Sequence, residues 1–266
     1  MVLFLNMLYN NNIRNREKEP EPYQSGSRYI KKRIGVIMFT KKYQIIADVE
    51  TCAIDNSVNT VDPHNMLTYD IGYVIADYSG NVIKERSFIV ADIFFGEKDK
   101  MQSAYYAEKI PSYIEDIIKG DRLVLPFKTV RNIMNKDVHE YNIKVFNAFN
   151  SFFDITALNT TTKYLTDSKW FFNDYMIVWD IMSMARQTIY KMKSYKTFCT
   201  ENNLLTATGK ISQKAESYYK YITKNPTFTE MHKGFDDVQI ETIIYKKCLA
   251  THKKIVKELF KCDRKK

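Results

Sequence analysis

Three short stretches carry acids and a histidine where an apolar core or a plain helix end would not ordinarily place them. In Ile45-Ile46-Ala47-Asp48-Val49-Glu50-Thr51, a spacing of two puts Asp48 and Glu50 on the same face of a strand. Two like charges beside apolar neighbours are unfavourable unless something compensates. A hard divalent cation such as Mg²⁺ or Mn²⁺ does so through oxygen ligands. The alternative is that Glu50 already lies in a loop and both acids are hydrated. In Asn147-Ala148-Phe149-Asn150-Ser151-Phe152-Phe153-Asp154, an apolar strand ends, a polar turn follows and an acid opens a helix. Asp154 is then either an ordinary partner of the helix dipole or a group beyond the carboxyl end of a strand, where α/β sheets gather their ligands. In His232-Lys233-Gly234-Phe235-Asp236-Asp237, Gly234 permits a tight helix entry. His232 stands just before that helix, in a position equally open to a structural or solvated histidine. Ile240, Ile244 and Cys248 follow Asp237 at helical spacing, so Asp237 heads a buried stripe. Asp236 and Glu241 read as ordinary acids of a helix N-terminus.

A chain of 266 residues makes one large domain or two small ones and buries enough surface to fold without a metal or disulfide staple. With 45% hydrophobic and 27% charged residues it is neither disordered nor fibrous. Forty Lys+Arg against 31 Asp+Glu give a formal +9, a balance that suits a polyanionic partner such as nucleic acid. Cys52, Cys199, Cys248 and Cys262 form no CxxC pair and no zinc set, and read as reduced thiols of a cytoplasmic protein. No run approaches a membrane span. The opening MVLFLNMLY lacks the basic start of a signal peptide.

The elements that must position these residues are legible from Tyr43 onward. Tyr43–Val49 reads as a buried strand, and Tyr69–Ala76 and Val82–Val90 as a hairpin closed by Asp77-Tyr78-Ser79-Gly80-Asn81. Helical patterns cover Lys100–Lys119, interrupted at Pro111, and Val130–Tyr141. Lys144–Ala148 reads as a strand, Phe153–Leu165 as a helix, Tyr175–Asp180 as a strand, and a helix starts at Met182. Tyr195–Lys224 is mainly helical around a loop at Thr206–Gly209, and a last helix runs from near Phe235 beyond Ala250. The fold class is therefore α/β: a mixed sheet, with a three-strand antiparallel meander and then parallel strands, and helices on both faces. Residues 1–40 are polar and read as a disordered or loosely attached extension. Met38 is the expected translation start, because codons for Gly35-Val36 can contain the ribosome-binding sequence GGAG. Residues 41–251 form the domain. Residues 252–266, with seven Lys/Arg against two acids, read as a helix end and tail.

Taken together, D-x-E-T at Asp48–Thr51, N-x-x-x-D at Asn150–Asp154 and H-x-G-x-x-D at His232–Asp237 resemble the DEDDh 3′–5′ exonucleases, the DnaQ-like group of the ribonuclease H-like superfamily. The resemblance covers about Tyr43–Ala250. Gly234 replaces the alanine usual in the third motif, and Phe149 stands where the family often has a histidine. Segments such as Phe94–Lys119 are not typical of compact proofreading subunits, and the sequence looks like a phage or prophage member. The resemblance implies a ribonuclease H-like fold and phosphodiester hydrolysis from a 3′ end. It implies two divalent cations, Mg²⁺ or Mn²⁺, held by Asp48, Glu50, Asp154 and Asp237, with Asp48 bridging and His232 as general base. It implies contact of Thr51, Asn150 and Phe153 with the terminal nucleotide. The implied partner is a nucleic acid with a free 3′ end, DNA favoured over RNA, with association to a DNA polymerase or replication complex as a further expectation and no membrane. The location implied is cytoplasmic, in the bacterial host if phage-encoded. Oligoribonuclease-like RNA trimming and a non-catalytic binding module on the same fold are the alternatives; the presence of all four acids and the histidine weighs against the second. Phe152 and Phe153 are each either a base platform or core, and Tyr105, Tyr106 and Lys109 either line the strand's path or pack the inserted helix.

Overall fold

A computed structural model of the chain describes residues 42–57, 62–102, 104, 106–256 and, for the backbone alone, 258–260. The extension expected over residues 1–40, with its start at Met38, lies outside the described residues, as do Tyr105 and Cys262.

Among the described residues, seven strands form one sheet. They are β1 (Tyr43–Ala53), β2 (Met66–Asp77), β3 (Val82–Val90), β4 (Leu123–Leu125), β5 (Val145–Ala148), β6 (Ile177–Asp180) and β7 (Glu258–Phe260). Their order is β4-β3-β2-β1-β5-β6-β7. Strands β1, β2 and β3 form the antiparallel meander, and β5 and β6 continue parallel to β1. The helices are α1 (Ala91–Phe94), α2 (Lys98–Gln102), α3 (Ile110–Lys119), α4 (Phe127–Glu140), α5 (Ser151–Leu165), α6 (Ile181–Gln187), α7 (Lys193–Glu201), α8 (Ala215–Thr223) and α9 (Gly234–Leu249). This is the mixed α/β sheet, an antiparallel meander followed by parallel strands with helices on both faces, that the sequence pattern implied.

Alternation along β1 divides the core in two. Ile45, Ala47 and Val49 join the cluster that includes Val130 and Met134 of α4 and Leu158 of α5. Ile46 joins the cluster built with Met184 of α6, Tyr218 of α8 and Val238 and Ile244 of α9. Asp48 and Glu50 continue the Ile46 face and so meet α9.

Four local departures from the sequence reading have physical reasons. Strand β1 runs on to Ala53, paired with β2 through a register shift between Glu50 and Thr51, so Glu50 belongs to the strand and not to a hydrated loop. Pro111 sits in the first turn of α3, where its missing N–H is not needed, and opens the helix instead of breaking it. Strand β4 is too short, at three residues, to show a period. In the basic tail, Glu258–Phe260 pairs antiparallel with β6 where a helix end was expected, closing an otherwise open sheet edge.

Candidate metal and nuclease site

The carboxyl ends of β1 and β5, the N-terminal half of α5 and the first turns of α9 converge on one group of acids. Asp48 lies opposite Gly72 and Glu50 opposite Asp70 in the β1–β2 ladder, so all four positions face α9. Gly72 makes that approach possible. A Cβ there would stand 2.2 Å from the carbonyl oxygen of Gly234 and 2.4 Å from the nitrogen of Phe235. Gly234 is constrained less: a Cβ on it would meet the Gly72 nitrogen at 2.9 Å and the Asp48 carbonyl oxygen at 3.0 Å. The small residue of the third motif is thus set by the backbone of β2.

Asp154 enters from the other side. Asn150 adopts a left-handed conformation, φ 71°, which turns the chain out of β5 and into α5. That turn is braced by Asp180 at the end of β6. Its Oδ1 accepts the N–H groups of Asn150 and Ser151 at 3.0 and 3.2 Å, and its Oδ2 caps α6 through Ser183. Asp154 is 3% exposed, and its Oδ1 accepts the Val49 N–H of β1 at 3.3 Å. It therefore faces the first strand, which a plain helix-dipole partner would not do.

Glu50, His232 and Asp237 each place a ligand atom within 4.8 Å of the others. His232 Nδ1 lies 3.9 Å from Glu230 Oε2 and 4.0 Å from Asp237 Oδ2. A fifth carboxylate is present as well. Glu241, one turn beyond Asp237 on α9 and 2% exposed, accepts the Phe149 N–H through Oε1 at 2.9 Å. Among the described residues, Asp48 Oδ2, Asp237 Oδ1 and Glu241 Oε2 are buried without a hydrogen-bond donor.

The electrostatics follow from burial and like charge. Burial pushes the Asp154 and Asp237 carboxyls up to about 8. Burial, and then neighbouring acids, hold Asp48, Glu50 and Glu241 well above the usual carboxylate range; for Asp48 the foremost neighbour is Glu241. Burial, followed by the charge of Lys109, lowers His232 below the ordinary histidine value. Donorless buried carboxylate oxygens of Asp48, Asp237 and Glu241 are the donor chemistry of hard divalent cations.

Of the sequence-derived candidates, Asp48, Glu50, Asp154, His232 and Asp237 meet here. Thr51 follows the register shift at the end of the group, half-buried, and Asn150 is exposed at the turn. The two phenylalanines divide. Phe153 packs against the hydrophobic core, whereas Phe152 is 45% exposed and meets His64 edge-on at 6.4 Å. The first turn of α5 turns Phe153 toward the core and Phe152 away from it. Glu241 was misread as an ordinary helix acid. The signal was present, since it stands four residues after Asp237 on the stripe that buries Ile240 and Ile244. Tyr106 packs within the molecule against the histidine: the two rings stack at 4.4 Å and 12°.

No family model matches the chain, and no curated protein matches it. Among solved structures, the chain is similar to exonuclease I bound with SSB and the inhibitor CFAM, at 11% identity and a TM-score of 0.48, over 77% of this chain and 41% of that one. It is similar to E. coli exonuclease I in complex with a dT13 oligonucleotide at 10% identity and a TM-score of 0.47, over 80% and 42%. It is similar to a product-bound exonuclease I at 12% identity and a TM-score of 0.45, over 79% and 44%. The chain spans about two fifths of the length of these exonuclease I chains.

Proposed function

We propose that the chain is a metal-dependent 3′–5′ exonuclease that hydrolyses phosphodiester bonds at the 3′ end of single-stranded or frayed DNA. The observation that carries this reading is the meeting of Asp48, Glu50, Asp154 and Asp237, from three distant stretches, around donorless buried carboxylate oxygens and one imidazole. The four acids would hold two Mg²⁺ or Mn²⁺ ions. When bound, such ions supply a more acidic water and neutralise charge on the phosphate and the leaving oxygen. The protein's own groups do the rest. Burial and Lys109 keep His232 neutral near pH 7, so its free nitrogen can accept the proton of the attacking water. Asp180 fixes the Asn150 turn and with it the position of Asp154. Phe152, exposed at the start of α5, offers a face on which a base can stack. The formal charge of +9 draws a polyanion to the surface, so binding should weaken as salt rises. Among the described residues no helix is long and apolar enough to cross a membrane.

The test is incubation of 5′-labelled single-stranded DNA and RNA with purified protein in Mn²⁺, Mg²⁺ or EDTA, beside Asp48→Asn and His232→Ala. A ladder that shortens from the 3′ end only with metal, is lost in Asp48→Asn and falls to a small residual rate in His232→Ala, is expected. Equal cleavage by wild type and Asp48→Asn would refute the assignment. Faster loss of RNA than DNA would move it to RNA trimming.

A further inference from the structure

His232 is held by neither a strand nor a helix. Its backbone is in the left-handed region, φ 52°, one residue before the cap of α9. A non-glycine residue there is disfavoured, histidine less than most, and its surroundings help to hold it. The surroundings in question come from described residues of the segment that joins β3 to β4: Tyr106, α3 and Arg122.

That segment meets the His232 region in two ways. The first is through the backbone that follows. Asp70 of β2, fully buried, accepts the Gly234 N–H at 2.9 Å and the Tyr113 hydroxyl of α3 at 2.8 Å. Arg122 donates Nη1 to both oxygens of Asp70, at 2.8 and 2.7 Å, and reaches Asp116 of α3 at 3.2 Å. Lys233, the residue after the histidine, is itself buried and puts Nζ 2.6 Å from that same Asp116. A buried ionic set of this kind contributes geometric specificity more than net stability. The second contact is with the side chain: Tyr106 lies face to face with the imidazole, centroids 4.4 Å apart and planes 12° from parallel. A ring stacked on one face cannot rotate freely about its own axis, so Nδ1 stays directed toward Glu230 and Asp237, at 3.9 and 4.0 Å.

We propose that α3 and Arg122 form a buttress for the His232 region and that Tyr106 is a positioning residue which fixes the plane of the imidazole. The proposal rests on His232 being the proton acceptor. Removing the tyrosine ring lets the imidazole rotate away from its productive orientation. The chemical step then slows, while the acids that bind metal and the groups that bind the strand are untouched.

Two measurements test it. The first needs no activity. In proton NMR spectra of the metal-free protein, the ring hydrogens of His232, assigned by their absence in His232→Asn, are displaced upfield by the tyrosine ring current. Tyr106→Phe keeps that displacement and Tyr106→Leu abolishes it. The second is kinetic. Tyr106→Leu loses about tenfold or more in kcat, with KM and the calorimetric Mn²⁺ affinity unchanged. Tyr106→Phe restores most of the rate, and Tyr106→Leu adds nothing to the defect of His232→Ala. Unmoved His232 resonances in Tyr106→Leu would overturn the proposal, as would a kcat loss that persists undiminished in the His232→Ala background. A wild-type protein inert on every substrate and metal would overturn the nuclease reading instead, with the ring-current shift still deciding whether Tyr106 holds the imidazole.

Discussion

The close approach of α9 to β2 makes two alanine substitutions unequal, and the structure gives the size of the difference. At Gly72 a new Cβ would stand 2.2 Å from a main-chain oxygen and 2.3 Å from its carbon. Ordinary van der Waals contact begins at 3.4 Å, so the Gly234 backbone must retreat by about 1.2 Å. A retreat of that size breaks the 2.9 Å hydrogen bond from Gly234 to Asp70 and carries His232 and Asp237 away from Asp48. At Gly234 the tightest new contact is 2.9 Å, and about 0.5 Å of adjustment suffices. Overpacking against backbone costs about 1–3 kcal/mol, and a displacement near 1 Å at a reacting centre can cost on the order of a hundredfold in rate. Gly72→Ala is therefore expected to lower thermal stability by roughly 1–3 kcal/mol and metal-dependent cleavage by about two orders of magnitude. Gly234→Ala, whose Cβ also meets backbone at 2.9 Å, should lose less stability than Gly72→Ala and about tenfold or less in rate. Thermal denaturation followed by circular dichroism, with the labelled-strand assay on the same preparations, measures both. Equal behaviour of the two variants, or a harmless Gly72→Ala, would show that α9 does not depend on contact with β2 for its position.

Three further expectations concern the acids and the exposed ring. The folded Asp154 and Asp237, raised to about 8, bind protons that the unfolded carboxyls, near 3.9, have released. Their contribution to stability is complete below about pH 4 and is lost as pH rises through about 8; melting temperature in EDTA should fall between about pH 5 and 8.5, Mn²⁺ should restore it at the upper end, and a rise in EDTA would contradict the assigned shifts. Glu241→Gln keeps an acceptor for the Phe149 N–H and removes an acid that burial and neighbouring acids disfavour as a carboxylate, so the metal-free protein should be stabilised at high pH while Mn²⁺ affinity by calorimetry falls; unchanged affinity would place Glu241 outside the cation site. Phe152→Ala should raise KM for an oligonucleotide by a factor matching about 1–3 kcal/mol with little effect on unfolding, whereas Phe153→Ala, taken from the core, should destabilise by about 2–4 kcal/mol; the reverse pattern in paired binding and melting experiments would return the platform to Phe153.

The sequence by itself determined the meander, the two parallel strands after it and the stretches that carry the acids. Alternation at period two and stripes at period 3.6 are local consequences of backbone geometry, so Asp48 and Glu50 on one face, and Asp237 at the head of Ile240, Ile244 and Cys248, could be read directly. Element ends were less legible. Strand β1 continues to Ala53 because β2 supplies hydrogen bonds to it, and the basic tail pairs with β6 because an open edge lies beside it. The site's supports belong to tertiary structure alone. Glu241 looked like any acid near a helix start until the fold buried it against Asp48 and Phe149, and Phe152 and Phe153 were interchangeable until α5 docked. Asp70 with Arg122, and Tyr106 with His232, are separated by 52 and 126 residues, and no periodicity connects such distant positions. Their pairing is decided by which surfaces the sheet brings together, a property of the packed chain rather than of any window along it.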